Sequence, residues 1–349
     1  MKALILGTLG KPLEEALKMA NMSYEVFKPE QLMIYVSEST SGYDRFFDAR
    51  SELPEPLRLK AKDFDFVISR IGSGAEKGAT ILEHLTENMG LFGSQNADGI
   101  RICSNKLRTH LKLSQKGIRT PPTVWGNRIA HTSFVLQKLL NGLLAVGKTS
   151  LGSQGEGVFI LESPLAANTT LQTLYKFDAD ILLQKFIKGA GFQDIRAIVV
   201  NGKVVSSMER SAPTGDFRAN LSQGGIGRKI ELSIEDKTLA VAAAEAVGLN
   251  GFCGVDLLKD KDGKTFVVET NSNPGDLICS ITGFNHFIPL VEFCKSKGKK
   301  SEIKQELPNN NDRAVLLNNS TQSDNKFWSE TDEYVYQAKQ RLNPTHTTR

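Results

Sequence analysis

The chain has 349 residues, 40% hydrophobic and 23% charged, with a formal net charge of +4. That length allows two or three lobes, the composition is that of a soluble globular protein, and the mild positive charge suits an anionic ligand without indicating nucleic acid. The scattered cysteines (Cys103, Cys253, Cys279, Cys294) exclude a disulfide framework and a structural zinc site. The opening MKALILG is too short for a signal segment, and no apolar run nears the ~20 residues of a membrane helix, so a cytoplasmic protein off the membrane is expected.

Ala3–Leu6 reads as a buried strand, and Gly7 and Gly10 lead into a helix over Leu13–Ala20. This is the strand–turn–helix opening of a doubly wound α/β domain. The dinucleotide fingerprint G-x-G-x-x-G is absent, which argues against a nicotinamide site. A second strand, Phe64–Ser69, ends in Arg70-Ile71-Gly72. Polar groups at the carboxyl ends of parallel strands face the ligand crevice, so Arg70 is a candidate substrate contact. The first lobe ends between Gly93 and Asn105.

Asn105–Gly117 reads as a helix and Thr120–Thr123 as a stiff connector, with another helix around His131–Leu140. Gly142 to Thr149 matches the Walker A pattern letter for letter, but that pattern requires a strand before the loop and a helix after it. Here Leu143–Val146 is strand-like, and the Gly-rich run after Lys148 cannot start a helix. The better reading is strand, flexible glycine loop, strand (Val158–Leu161). Lys148 then ends the first strand, and the backbone N–H groups around Gly152, Gly155 and Gly157 are able to fold over phosphates. Asn201-Gly202 marks a hairpin turn, and Lys237–Gly248 an alanine-rich helix.

The run GVDLLKDKDGKTFVVETNSNPG, residues 254 to 275, holds two short apolar strands around a polar turn. Side chains alternate along a strand. Pairing Lys259 with Lys264 across a four-residue loop puts Asp256 opposite Val267, with Glu269 and Asn271 following on the same face. Two carboxylates and an amide oxygen suit a hard divalent cation such as Mg²⁺.

From about Lys295 the chain turns basic, then polar, and reads as a mobile tail. Ser329–Leu342 is its one helix candidate, with Phe327, Trp328, Tyr334 and Tyr336 as docking aromatics.

Seven segments in order resemble one family. They are FDFVISRIGSG (64–74), SNKLRTHLKLSQKGIRTPPT (104–123), VGKTSLGSQGEGV (146–158), LLQKFIKGAGFQDIRAIVV (182–200), MERSAPTGDFRANLSQGG (208–225), GVDLL (254–258) and VVETNSNPG (267–275). The chain is similar to the ATP-grasp ligases, and within them to the RimK type, which adds glutamate to the C-terminus of a ribosomal protein. The resemblance runs from about Ala3 to Phe293. It implies an N-terminal α/β domain (1–97), a central lobe (98–187) and a C-terminal lobe (188–295) that sandwich ATP, followed by the tail (296–349).

The resemblance also implies roles. Lys106 and Lys148 match the lysines on the nucleotide phosphates, with Gly152, Gln154 and Gly155 in the loop over them. Gln184, Lys185, Phe186 and Ile187 match the linker that bonds the adenine edge through its backbone; the family usually has an acid where Lys185 stands. Asp194 matches the acid near the ribose. Arg218 and Asn220 match residues beside the transferred phosphoryl group. Asp256, Glu269 and Asn271 match the ligands of two Mg²⁺ ions, with Mn²⁺ as the substitute.

The chemistry so implied is amide formation through an acyl-phosphate, adding glutamate or a similar amino acid to a peptide or protein acceptor, with a homo-oligomer compatible. A ligase acting within a precursor peptide or on small molecules shares every motif. A non-catalytic nucleotide-binding protein would need a lost metal ligand, and none is lost. A ribosome-associated factor would work through the basic, aromatic tail.

Overall fold

The computed structural model describes residues 1–36, 46–50, 57–72, 74–126, 131–141, 144–152, 156–187, 193–213, 219–221 and 224–298. The tail with its candidate helix, the loop residues Gln154 and Gly155, and Arg218 lie outside the described residues. All described elements belong to one unit comprising Met1–Tyr35 and Gly42–Ser301.

The chain begins with β1 (Lys2–Gly7), α1 (Lys11–Met19), β2 (Ser23–Phe27), β3 (Leu32–Ile34), β4 (Phe46–Asp48), β5 (Leu57–Leu59), β6 (Phe66–Arg70), α2 (Ala75–Glu83), β7 (Phe92–Gly93) and α3 (Ala97–Cys103). Strands β2-β1-β6-β7 form a parallel sheet. Ala3–Leu6 is buried on both faces, as the helices of a parallel sheet require. Ala3 and Ile5 join a cluster with Leu13 and Leu17 of α1, whereas Leu4 and Leu6 join one with Ala79 and Leu82 of α2. Period-two alternation has thus given each helix its own face of β1, and the doubly wound expectation holds. The short antiparallel sheet β3-β4-β5 was not anticipated. Its three-residue strands carry too few alternating positions to signal themselves.

The next elements are α4 (Lys106–Gln115), β8 (Thr123–Trp125), α5 (Thr132–Phe134), β9 (Ala145–Thr149), β10 (Val158–Leu161), α6 (Pro164–Lys176) and β11 (Ile181–Lys185). Strands β10-β9-β11-β8 make an antiparallel sheet whose Ala145, Leu161, Ile181 and Leu183 pack on Ala167 and Leu171 of α6. The helix expected over His131–Leu140 is present, but only its first turn, α5, is α-helical; it passes directly into a π-helical turn at Val135–Leu139. β-Branched and aromatic residues (Thr132, Phe134, Val135) give that segment weak helix propensity. A strand covers Ala145–Thr149 with no helix after it, so the Walker A match is a coincidence of letters.

The last part contains β12 (Gln193–Val200), β13 (Lys203–Ser211), β14 (Ile226–Lys229), α7 (Ile234–Ala246), β15 (Phe252–Lys259), β16 (Thr265–Asn271), α8 (Leu277–Thr282) and α9 (Phe287–Gly298). Strands β14-β13-β12-β15-β16 form one antiparallel sheet. Asn201 and Gly202, at φ 48° and 68°, make the primed turn that joins β12 to β13. One face of this sheet (Ala197, Val199, Val255, Leu257) packs on the alanines of α7. Ile198, Val200 and Phe252 instead join Phe287 and Leu290 of α9 and the Ala3–Ile5 side of the first sheet.

Candidate active site

The hairpin of β15 and β16 differs in register from the sequence expectation. The Asp260 N–H donates to the Lys264 carbonyl at 3.0 Å, leaving a three-residue loop closed by Gly263 at φ 79°. Asp260 Oδ1 stiffens it by accepting from the N–H groups of Asp262 and Lys264, at 3.0 and 2.9 Å. Lys259 therefore pairs with Thr265 and Leu257 with Val267. A bulge then shifts the register by one residue, so Asp256 faces Glu269 and Gly254 faces Asn271. The expected pairing of Asp256 with Val267 is corrected: the bulge, and not the turn, aligns Asp256, Glu269 and Asn271 on one face.

Asp256 is buried and engaged from the neighbouring strands. Arg196, directly across on β12, donates to it from Nε and Nη2 at 2.7 Å each, and Arg210 Nη2 lies 2.9 Å from Oδ2. Arg210 also holds Asp194 through two bonds of 2.6 and 2.7 Å. Burial alone would raise the Asp256 carboxyl; the two guanidiniums outweigh it and hold the group well below the usual carboxylate range. Asp194, expected beside a ribose, points its carboxylate into Arg210.

Asn271 Nδ2 reaches Asp256 Oδ2 at 3.5 Å. No described residue hydrogen-bonds to the Glu269 carboxylate or to Asn271 Oδ1. Among the described residues no three His, Cys, Asp or Glu side chains are grouped to hold a metal, so the Asn271 amide has to complete the set. Two carboxylates and a free amide oxygen on one face fit a hard divalent cation.

The two lysines come from the preceding sheet and α4. Asn105 caps α4 by accepting from Arg108 N at 3.0 Å, which puts Lys106 in its first turn. The Lys106 N–H donates to the Ser150 carbonyl at 2.9 Å, and its ammonium to the Gly152 carbonyl at 2.8 Å. Lys148, on β9, donates to Gln184 Oε1 at 2.8 Å. Burial lowers the Lys148 ammonium; Lys106 adds to that, while Glu269, Asp256 and Asp194 oppose it. The carboxylates of the last sheet and Lys148 of the central one thus act on each other.

In the linker after β11, the Lys185 N–H donates to the Pro122 carbonyl at 2.8 Å and the Phe186 N–H to the Leu144 carbonyl at 3.4 Å. These two amides, expected at the adenine edge, are engaged within the chain.

Residues 103–292 match the model of the RimK-like ATP-grasp domain, more than half of the chain. The chain belongs to the RimK-like ATP-grasp family. It is 38% identical over 243 residues to a probable alpha-L-glutamate ligase of Methanococcoides burtonii, covering 69% of this chain and 79% of that protein. It is 36% identical over 263 residues to a probable alpha-L-glutamate ligase 2 of Pseudoalteromonas atlantica, covering 74% and 86%. In fold it resembles the ATP-grasp ligase PsnB complexed with a precursor variant, Mg and ADP, with a TM-score of 0.63, 17% identity and coverage of 85% and 98%. It also resembles the D-alanine–D-alanine ligase of Bacillus anthracis complexed with ATP, with a TM-score of 0.56, 21% identity and coverage of 86% and 97%.

Within this ATP-grasp frame Arg70 takes a place that differs from the open crevice expected of it. Its side chain is buried, and its guanidinium donates to the Pro274 carbonyl at 2.9 Å and to Asp276 at 2.7 Å. It grips the loop that follows Asn271. The fit is tight: a Cβ added at Gly10 would lie 1.8 Å from Asp276 Oδ2. Asn220 lies in a turn closed by the Gly225 N–H donating to its carbonyl at 3.2 Å. Arg196, readable in the sequence only as a strand-edge ion-pair partner of Asp194, bonds Asp256 instead, and two further polar residues near the candidate site, His110 and Arg210, carried no assignment. Arg196 had a usable signal, since it sits two residues from Asp194 on one strand face; Arg210, two residues from Met208 and Ala212, had none of that kind. His110 on amphipathic α4 had none.

Burial pushes the Cys103 thiol up to about 12 and also raises Cys253, Cys279 and Cys294. Burial thus favours the neutral thiol at all four.

Proposed function

We propose that this protein uses ATP and Mg²⁺ to add glutamate to the C-terminal carboxylate of a peptide or protein. The observation that carries the reading is the alignment of Asp256, Glu269 and Asn271 on one strand face, within electrostatic reach of half-buried Lys148. Kinship with glutamate ligases supports the amino acid.

An acceptor carboxylate oxygen attacks the γ-phosphorus of ATP, the bond to the β–γ bridging oxygen breaks, and ADP leaves behind an acyl-phosphate. The glutamate nitrogen attacks the acyl carbon and loses a proton, the carbon–oxygen bond breaks, and phosphate departs. Lys106 and Lys148 bind the nucleotide phosphates as point charges. Gln184 orients Lys148, and the linker through Ile187 seats the base. Arg218 and Asn220 hold the transferred phosphoryl group, where preorganised charge lowers the barrier. Glu269 and Asn271, with Asp256 beside them, would hold the metal. Bound there, Mg²⁺ supplies charge neutralisation at the phosphate oxygens. No residue acts as a covalent nucleophile.

The test is an acceptor peptide with heavy oxygen in its C-terminal carboxylate. One heavy oxygen in the released phosphate is expected; unlabelled phosphate overturns the acyl-phosphate route.

A further inference from the structure

Gln184 is the meeting point of side chains from three other elements. Its Oε1 accepts from Lys148 Nζ at 2.8 Å, while its Nε2 lies 2.9 Å from Thr123 Oγ1 and 3.1 Å from His110 Nε2. An ammonium only donates, so the Lys148 contact fixes which end of the amide is oxygen. The Thr123 hydroxyl gives its own proton to the Pro121 carbonyl at 2.9 Å, so it accepts from Gln184. The second amide hydrogen then goes to His110 Nε2. That nitrogen must be bare, with the ring proton on Nδ1, which has no described partner.

The surroundings enforce this neutral state. His110 is 6% exposed and stands one turn along α4 from Lys106. Burial, with Lys148 and Lys106 nearby, pushes its imidazole down to about 3. A ring protonated on Nε2 would face the amide hydrogens donor to donor.

We propose that His110 is a positioning residue: its bare Nε2 locks the Gln184 amide and thereby aims Lys148 at the nucleotide phosphates. This rests on the assignment of Lys148 to those phosphates. An apolar residue at 110 leaves Thr123 as the one acceptor for the amide hydrogens, which loosens the Gln184 side chain and with it Lys148 while the linker backbone that bonds the base stays in place.

The test compares His110→Phe, which keeps a ring but no acceptor, with His110→Gln, which keeps an acceptor. Calorimetry measures ATP and adenosine binding to each, alone and with Lys148→Ala. His110→Phe should weaken ATP about tenfold, the cost of one hydrogen bond to a charged network, with adenosine unchanged. His110→Gln should restore most of the affinity, and His110→Phe should add nothing once Lys148 is alanine. In the unaltered protein, nitrogen-edited NMR should find Nε2 bare and Nδ1 protonated between about pH 5 and about 8. Equal losses of ATP and adenosine, full ATP affinity in His110→Phe, additive losses with Lys148→Ala, or a proton on Nε2 would each overturn the proposal. If Lys148→Ala binds ATP normally, the phosphate assignment fails and the proposal falls with it. If Lys148→Ala binds ATP weakly while His110→Phe is silent, only the role of His110 fails.

Discussion

Arg196 clasps Asp256 through two 2.7 Å hydrogen bonds, whereas Glu269, facing Asp256 across the hairpin, has no hydrogen-bond partner among the described residues. The two carboxylates share a face but differ in what they hold together. Asp256→Ala takes from Arg196 its hydrogen-bonded counter-charge and leaves Arg210 with Asp194 alone, and should cost about 3–5 kcal/mol of stability. Glu269→Gln should cost under about 1 kcal/mol, since no described partner is lost. Both should abolish Mg²⁺-dependent ATP turnover. Urea unfolding beside phosphate-release assays separates the two effects; equal destabilisation would show that Glu269 is also structural.

Lys148 is half-buried, with Gln184 Oε1 as its hydrogen-bond partner. Its desolvation is worthwhile only if phosphate oxygens supply charge when nucleotide binds. Lys148→Ala should therefore raise the Kd for ATP at least tenfold, on the order of the 1.5–3 kcal/mol of a charged hydrogen bond, with little loss of stability. Calorimetric titration with ATP checks this.

His110 and His286 are both kept neutral by the fold. Burial pushes each down to about 3, with Lys148 and Lys106 assisting at His110 and Arg70 at His286. Between about pH 3 and the unfolded value near 6.5 the unfolded chain binds more protons than the folded one, so stability rises with pH through that window. It should be full above about pH 7 and fall by on the order of a few kcal/mol as pH drops below 6. Urea midpoints at pH 7 and pH 5 measure the fall, which should shrink in His286→Gln.

Arg70 joins the end of β6 to the loop after Asn271 through Pro274 and Asp276. Removing it takes away the described partner of the Asp276 carboxylate and loosens the strand end that carries Asn271, the proposed metal ligand. Arg70→Ala should raise the Mg²⁺ concentration for half-maximal ATP turnover several-fold. Arg70→Lys should not rescue it, because an ammonium lacks the planar fork that spans both acceptors. A titration of turnover against Mg²⁺ reads the effect.

Local pattern carried most of this architecture. The buried run Ala3–Leu6, the Asn201-Gly202 turn and the β10 span Val158–Leu161 can be read from periodicity and turn chemistry alone. Asp256, Glu269 and Asn271 share a face as the alternation required, yet the register that achieves it was hidden. A three-residue loop and a bulge each shift the pairing by one, and two such shifts preserve the face while changing the opposite residue. The partners of buried polar groups were illegible for another reason. Arg196 on Asp256 and His110 on Gln184 are contacts between elements 60 and 74 residues apart, and Arg210 on Asp194 depends on the exact register of the β12–β13 hairpin. Arg70 shows the same limit: the end of a parallel strand was read as open to ligand, but a loop from more than 200 residues later covers it.

The most direct test supplies the protein with MgATP, glutamate and peptides of varied C-termini, and follows ADP release and peptide mass together. The account predicts ADP release that requires both glutamate and acceptor, and a peptide heavier by one or more glutamyl residues at its C-terminus. Glutamate-independent ATP turnover, or no ATP-dependent mass gain on any peptide, would contradict it.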